Sequence, residues 1–191
     1  MLLVLPLLPG CRRDAPAEGI ALRTPYGTTV DIAAIRVGSR IGSLDVSLTN
    51  DSDLPLTMKR LEIRGPGVGS VVRVVGVEAA PKSGDVDTTP GGLYTSDPPV
   101  ARFAGECHVQ RLEPFGGYIL EPGASMRAWI VFEATAPGDW SVKSQTVTYE
   151  VVGADFTQVI PIGYQGSVSE MSRFPVFDPD AACMRFAEPL G

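Results

Sequence analysis

A chain of 191 residues is long enough to bury a full core and is most simply one domain with appendages. Its 21 glycines and 17 prolines, without long runs of Ala, Leu, Glu or Lys, suit strands and turns better than helices. A formal net charge of −6 argues against nucleic-acid binding, which needs a basic face, and against charge-driven adhesion to anionic lipid.

The first element is an apolar run, Leu2 to Leu8, far too short to span a bilayer as a helix. Followed by a small residue, it suits the apolar region of a secretory signal over residues 1–10. Leu8-Pro9-Gly10-Cys11 resembles the lipobox of bacterial lipoproteins, in which a branched apolar residue and a small residue precede an obligatory cysteine. The resemblance implies that the Cys11 thiol receives a diacylglycerol and that the peptide is cut before it. Acyl chains contribute about 0.8 kcal/mol per buried methylene, so two or three of them would hold the chain to the membrane, facing the extracytoplasmic side. Residues 11–25 are then the lipidated terminus and a tether, polar and Pro-containing over Asp14 to Gly19.

Strands are expected from residue 26 to residue 162. In "GSLDVSLTN", Leu44, Val46 and Leu48 share one face, with Ser43, Asp45, Ser47 and Thr49 on the other. "TNDSDLP" follows as a turn whose Asn and Asp side chains bond nearby backbone. In "LTMKRLEIR" the apolar phase slips between Met58 and Leu61, which predicts a bulge near Lys59-Arg60. "VGSVVRVVGVE" is more continuously apolar and reads as a central strand. Residues 80–99, rich in Pro, Gly, Asp and Thr, make an unusually long connection and the leading contact surface, with Leu93 and Tyr94 as candidate anchors. The alternative role of that pair is to pin the loop to the sandwich. "VARF", "GGYIL" and a Glu-Pro-Gly turn at 121–123 come next. In "SMRAWIVFEAT", Met126, Ala128, Ile130 and Phe132 alternate with Arg127, Trp129, Val131 and Glu133. "APGDW" reads as a turn, "TVTYEVVG" as a strand, and "FTQVIPI" as the last of the series.

This pattern predicts an all-β fold, an antiparallel two-sheet β-sandwich. The stretches "LDVSLTNDSDLPLTM" and "LEPGASMRAWIVFEA" resemble the Ig-like sandwich modules of bacterial surface lipoproteins, and the resemblance covers residues 28–162. Residues 163–191 read as a C-terminal extension packing on the sandwich, with Asp178-Pro179 able to open a helical turn.

With Cys11 committed to lipid, Cys107 and Cys183 form an even remainder in an oxidising compartment and are expected to be disulfide-bonded. Two separate buried thiols are the alternative. The bridge would close a loop of about 76 residues, stabilising on the order of 4 kcal/mol in the chain-entropy picture.

His108 is the lone histidine. A blue-copper centre needs two, and a structural zinc site would have to recruit Cys11. A copper site from His108 with Met126, Met171 and Met184 is the alternative functional reading. A Ser-His-Asp hydrolase would have to use His108, and no Gly-x-Ser-x-Gly occurs. "GPGVGS" at 65–70 precedes a strand-like run where a phosphate loop requires a helix, so it reads as a turn. Asp85, Asp87 and Asp97 lack EF-hand spacing. Asn50-Asp51-Ser52 matches the glycosylation sequon but serves equally as a turn. The residues therefore point to a non-enzymatic envelope lipoprotein without a cofactor, a binding or adaptor module for an envelope protein or wall polymer.

Overall fold

A computed structural model describes residues 17–24, 27–81, 94–95 and 113–170. Every regular element among them is a strand: β1 (Ala17–Glu18), β2 (Leu22–Arg23), β3 (Thr28–Arg36), β4 (Arg40–Asn50), β5 (Leu56–Ile63), β6 (Val72–Pro81) and β7 (Tyr94–Thr95) in the first half, then β8 (Glu113–Pro114), β9 (Ile119–Leu120), β10 (Ser125–Ala134), β11 (Gly138–Val142), β12 (Gln145–Val151), β13 (Ala154–Ile160) and β14 (Ile162–Ser169). One sheet runs β2-β4-β10-β6-β8, with β7 also on β4. The opposing layer runs β1-β13-β12-β5-β9, and a third sheet, β11-β14-β3, continues it. β11 leads into β12 and β13 into β14, so the two hairpin strands β11–β12 and β13–β14 run the length of the layer. Pro161, which has no N–H to donate, marks the break between β13 and β14. The arrangement is the expected all-β sandwich, the chain crossing between layers at the β4–β5 and β5–β6 connections.

The core follows the expected alternation. Val46, Leu48, Met126, Ala128, Ile130 and Phe132 from one sheet meet Leu56, Met58, Val147 and Tyr149 from the other, all buried. Phe132 lies against Trp140 and Tyr164, with ring centroids 5.0 and 5.4 Å away. The phase slip in β5 is a bulge: β12 pairs Thr148 with Arg60 but Tyr149 with Met58, leaving Lys59 unopposed.

Several boundaries differ from the expectation. The strand series continues through Ser169 instead of ending at residue 162, because Ile162, Tyr164 and Val168 carry the buried alternation onward in β14. At the other end Ala17–Glu18 and Leu22–Arg23 are already paired strands, ahead of residue 26. "GDW" is strand rather than turn: Gly138 opens β11, and Trp140 is buried against Phe132. β3 and β14 pair in parallel, Val30 opposite Tyr164, so the layer is not purely antiparallel.

β10 is buried on both faces at its centre. Trp129 and Val131, on the phase opposite the core, are as enclosed as their neighbours. Trp129 lies over Gly42, where a Cβ would meet the indole at 2.2 Å.

The N-terminal segment straps the two sheets together. β1 runs parallel to β13, and β2 pairs antiparallel with β4. Between them Gly19 N–H donates to Thr157 O, and the Tyr149 hydroxyl accepts from Ala21 N–H at 3.1 Å. A Cβ at Gly19 would collide with that hydroxyl, so glycine lets the crossover pass. Gln158 then clamps Leu22 by both backbone groups: Oε1 accepts from its N–H at 2.9 Å, and Nε2 donates to its carbonyl.

The β12–β13 hairpin closes with a two-residue turn, Val152-Gly153, both at positive φ (47° and 80°). This pattern is the primed hairpin turn that suits Asn-Gly. A β-branched residue there costs about 1–2 kcal/mol.

Candidate functional site

Of the residues singled out in the sequence, Cys11, Leu93, Cys107, His108 and Cys183 lie outside the described residues, as do Asp85, Asp87, Asp97, Met171 and Met184. Tyr94 is placed through its backbone: β7 adds to the edge of β4, Tyr94 opposite Gly42 and Thr95 opposite Ile41. Pro81 ends β6 opposite Met126, at the other end of the same sheet. The 80–99 connection is thus tied to the sandwich at Tyr94–Thr95. Met126 is fully buried in the core. Among the described residues no three His, Cys, Asp or Glu side chains gather to hold a metal.

"GPGVGS" is a turn, as expected: Gly67 O accepts from Val71 and Val72 N–H, and Gly69 N–H donates to Val72 O. Its start runs beside β11, with Ser141 N–H donating to Pro66 O. Asn50 is fully buried. Its Nδ2 donates to Leu54 O and Leu120 O at 2.8 and 2.9 Å, and its Oδ1 accepts from Ser52 N–H and Oγ–H. In the folded protein the sequon asparagine is a structural bolt, inaccessible to a glycan.

An open cleft of about 440 Å³ lies on the outer side of β3, β14 and β11, bounded by Pro66. Asp31, Asp139, Ser141, Gln165 and Ser167 supply its polar lining. Strand alternation puts them there, while Ile32, Trp140 and Tyr164 turn inward. Gln165 Nε2 donates to Asp31 Oδ1 across the parallel pair. Trp140 Nε1 is buried beneath, with no acceptor among the described residues. The set is carboxylate, amide and hydroxyl, suited to hydrogen-bonded recognition. Sequence reading missed it because single polar residues alternating outward on strands look like any solvated face.

Two carboxylates elsewhere have displaced affinities for protons. Glu78, opposite Trp129, has Oε2 buried without a donor among the described residues, and burial raises its pKa above the usual carboxylate value. Glu133 lies between Arg73 and Arg40 on the neighbouring strands. The hydrogen bond from Arg73, then the charges of both arginines, lower its pKa. The outer side of β5 and β12 carries the exposed pairs Lys59–Glu150 and Arg60–Glu62–Arg64. Such pairs keep a face solvated and add little stability.

No family model and no curated protein matches the chain. Among solved structures it is similar to the ASH/PapD-like domain 7 of human CEP192, at 12% identity and TM-score 0.38, covering 90% of this chain and 100% of that one. It is also similar to the Vibrio cholerae VesB protease (11% identity, TM-score 0.37, covering 77% of this chain and 32% of that one). A third likeness is to a family 123 glycoside hydrolase from Clostridium perfringens, at 11% identity and TM-score 0.35, covering 76% of this chain and 23% of that one. Likenesses at these TM-scores have no bearing on what this chain does.

Proposed function

We propose that this chain is a non-enzymatic cell-envelope lipoprotein, a binding or adaptor module anchored through Cys11 and presenting its sandwich to another envelope protein or a wall polymer. The observation that carries the reading is the N-terminal strap. Residues 17–23 are bonded to both sheets by β1, β2, the Tyr149 hydroxyl and the Gln158 clamp. A lipid on Cys11 would therefore hold a rigid body on a short leash. The cleft over β3, β14 and β11 supports the second half of the reading, since it offers convergent polar groups on rigid strands. The connection bearing Leu93 and Tyr94 is the second contact surface.

Cys11→Ser tests the anchor: the protein should move from the membrane fraction to the soluble exported fraction. Unchanged fractionation with an unmodified N-terminal mass overturns it. A photo-reactive residue at Ser167 tests the module, and in intact cells it should capture an envelope protein or wall polymer that Asp31→Ala no longer captures. Changing Leu93 and Tyr94 to Ser should remove in-cell cross-links from the 80–99 connection at unchanged melting temperature. A large fall in melting temperature would instead assign the pair to packing.

A further inference from the structure

We propose that the end of the sandwich carrying the Val152-Gly153 turn faces the bilayer, and that Val152, Leu54 and Ile119 rest on its headgroup layer. The proposal builds on the anchor at Cys11 and adds an orientation and a lipid-contacting surface to it.

The direction of β1 selects this end. Ala17 pairs with Phe156 and Glu18 with Thr157 in parallel, so the chain enters the fold from the side of Ala154 and the hairpin turn. Only residues 12–16 separate Cys11 from Ala17, a reach of about 20 Å even when fully extended. β4 alone, with 11 residues, spans roughly 35 Å. The opposite end of the sandwich is beyond the leash.

The apolar surface is gathered at the same end. β5 and β12 are antiparallel with Thr57 opposite Glu150, which brings Leu54 and Pro55 beside the Val152 turn. β9 adds Ile119 opposite Thr57. Val152 is 85% exposed, Ile119 56% and Leu54 47%, and Ile20 in the adjoining crossover is 91% exposed. Of the exposed large apolar side chains among the described residues, Val75 and Val159 alone lie elsewhere. Scattered exposed apolar residues are ordinary, but this gathering beside the chain's point of entry is not random scatter.

Val152 is the second, independent observation. A β-branched residue occupies a left-handed turn position where Asn, Asp or Gly is unstrained, and its side chain contributes almost nothing to the core. Strain retained at an exposed tip is explained by a contact that the tip makes outside the fold. Asp53, Glu121 and Asp155 border this end, with Asp51 paired to Arg23, and the excess of negative charge would be repelled by anionic lipid. The surface therefore suits shallow contact with zwitterionic headgroups.

The test uses the full lipidated chain reconstituted into phosphatidylcholine vesicles carrying a nitroxide quencher on the lipid headgroup. Trp129 and Trp140 are buried and give a constant background, so a tryptophan introduced by Val152→Trp reports its own depth. Val75→Trp, on the far half of β6, is the control. Selective quenching of the Val152→Trp protein is the expected result. Vesicle-bound protein in which both variants are quenched equally, or neither is, overturns the orientation. So does an unquenched Val152→Trp protein that sediments as a dimer, which would give the tip to a second copy. Failure of the anchor itself reads differently: the chain does not float with the vesicles and Cys11 has an unmodified mass.

Discussion

Asn50 concentrates on one side chain what the turn after β4 needs. It satisfies the Leu54 carbonyl and the Ser52 amide in its own turn and the Leu120 carbonyl in β9, with no exposure. Asn50→Ala leaves those groups unpaired in a buried site, so we expect a loss of about 2–3 kcal/mol in urea unfolding. Gly42→Ala drives a methyl into the Trp129 ring and should cost about 1–3 kcal/mol, with a change in tryptophan emission reporting the displaced indole. Val152→Gly goes the other way. It relieves the left-handed strain at a solvent-exposed tip and should raise stability by up to about 1 kcal/mol, part of the strain relief being offset by the freer unfolded chain. The Asn50 turn was legible because Asn, Asp and Ser cluster between two alternating runs. The Val152 turn was not, since "EVVG" reads as the end of a strand until its φ angles are known. The signal that was there is a residue-Gly pair between two strand-like runs, the mark of a two-residue hairpin.

Among the elements, alternation carried the reading furthest where one face is buried and the other wet. β5 follows it, down to the bulge at Lys59, and so do the ends of β10, whose centre is buried on both faces. It failed where another term governs the local chain. Gly138 and Asp139 look like turn formers, yet they open β11 because Trp140 is drawn into the core beside Phe132. β1 and β2 are two residues each, too short for any period, and exist through tertiary bonds to Tyr149 and Gln158. The cleft of β3, β14 and β11 was equally hidden, because parallel pairing brings Asp31 to Gln165 across 134 positions of sequence. Gln158→Ala tests the strap at this scale. It removes both bonds to Leu22, and amide exchange at Ala21 and Leu22 should rise well before exchange in β10 or β12 does. Equal protection in both regions would show that the strap is held by its strand pairs alone.

For the molecule as a whole, Glu78 and Glu133 impose opposite responses to pH. Glu78 has its pKa raised by burial above the ordinary 4.5. Its contribution is therefore complete below that value and is lost as pH rises through the raised one. Glu78→Gln should stabilise the protein at neutral pH and remove this part of the slope. Glu133 has its pKa lowered by Arg73 and Arg40, so its contribution is present above the ordinary value and lost as pH falls through the lowered one. Glu133→Gln should weaken the neutral protein and flatten the acid limb, both read from urea midpoints across acidic and neutral pH. The strap sets a different global property, the response to force. A pull on the amino terminus, directed out past the Val152 turn, runs along the axis of β1, so its bonds to β13 are loaded together in shear rather than opened one after another. Once β1 slips, the tension passes to Ala21 and Leu22 at Tyr149 and Gln158, and only then to the antiparallel pair of β2 with β4. The domain should yield first by shedding its strap, with both sheets still folded, and unravel in a separate, later step.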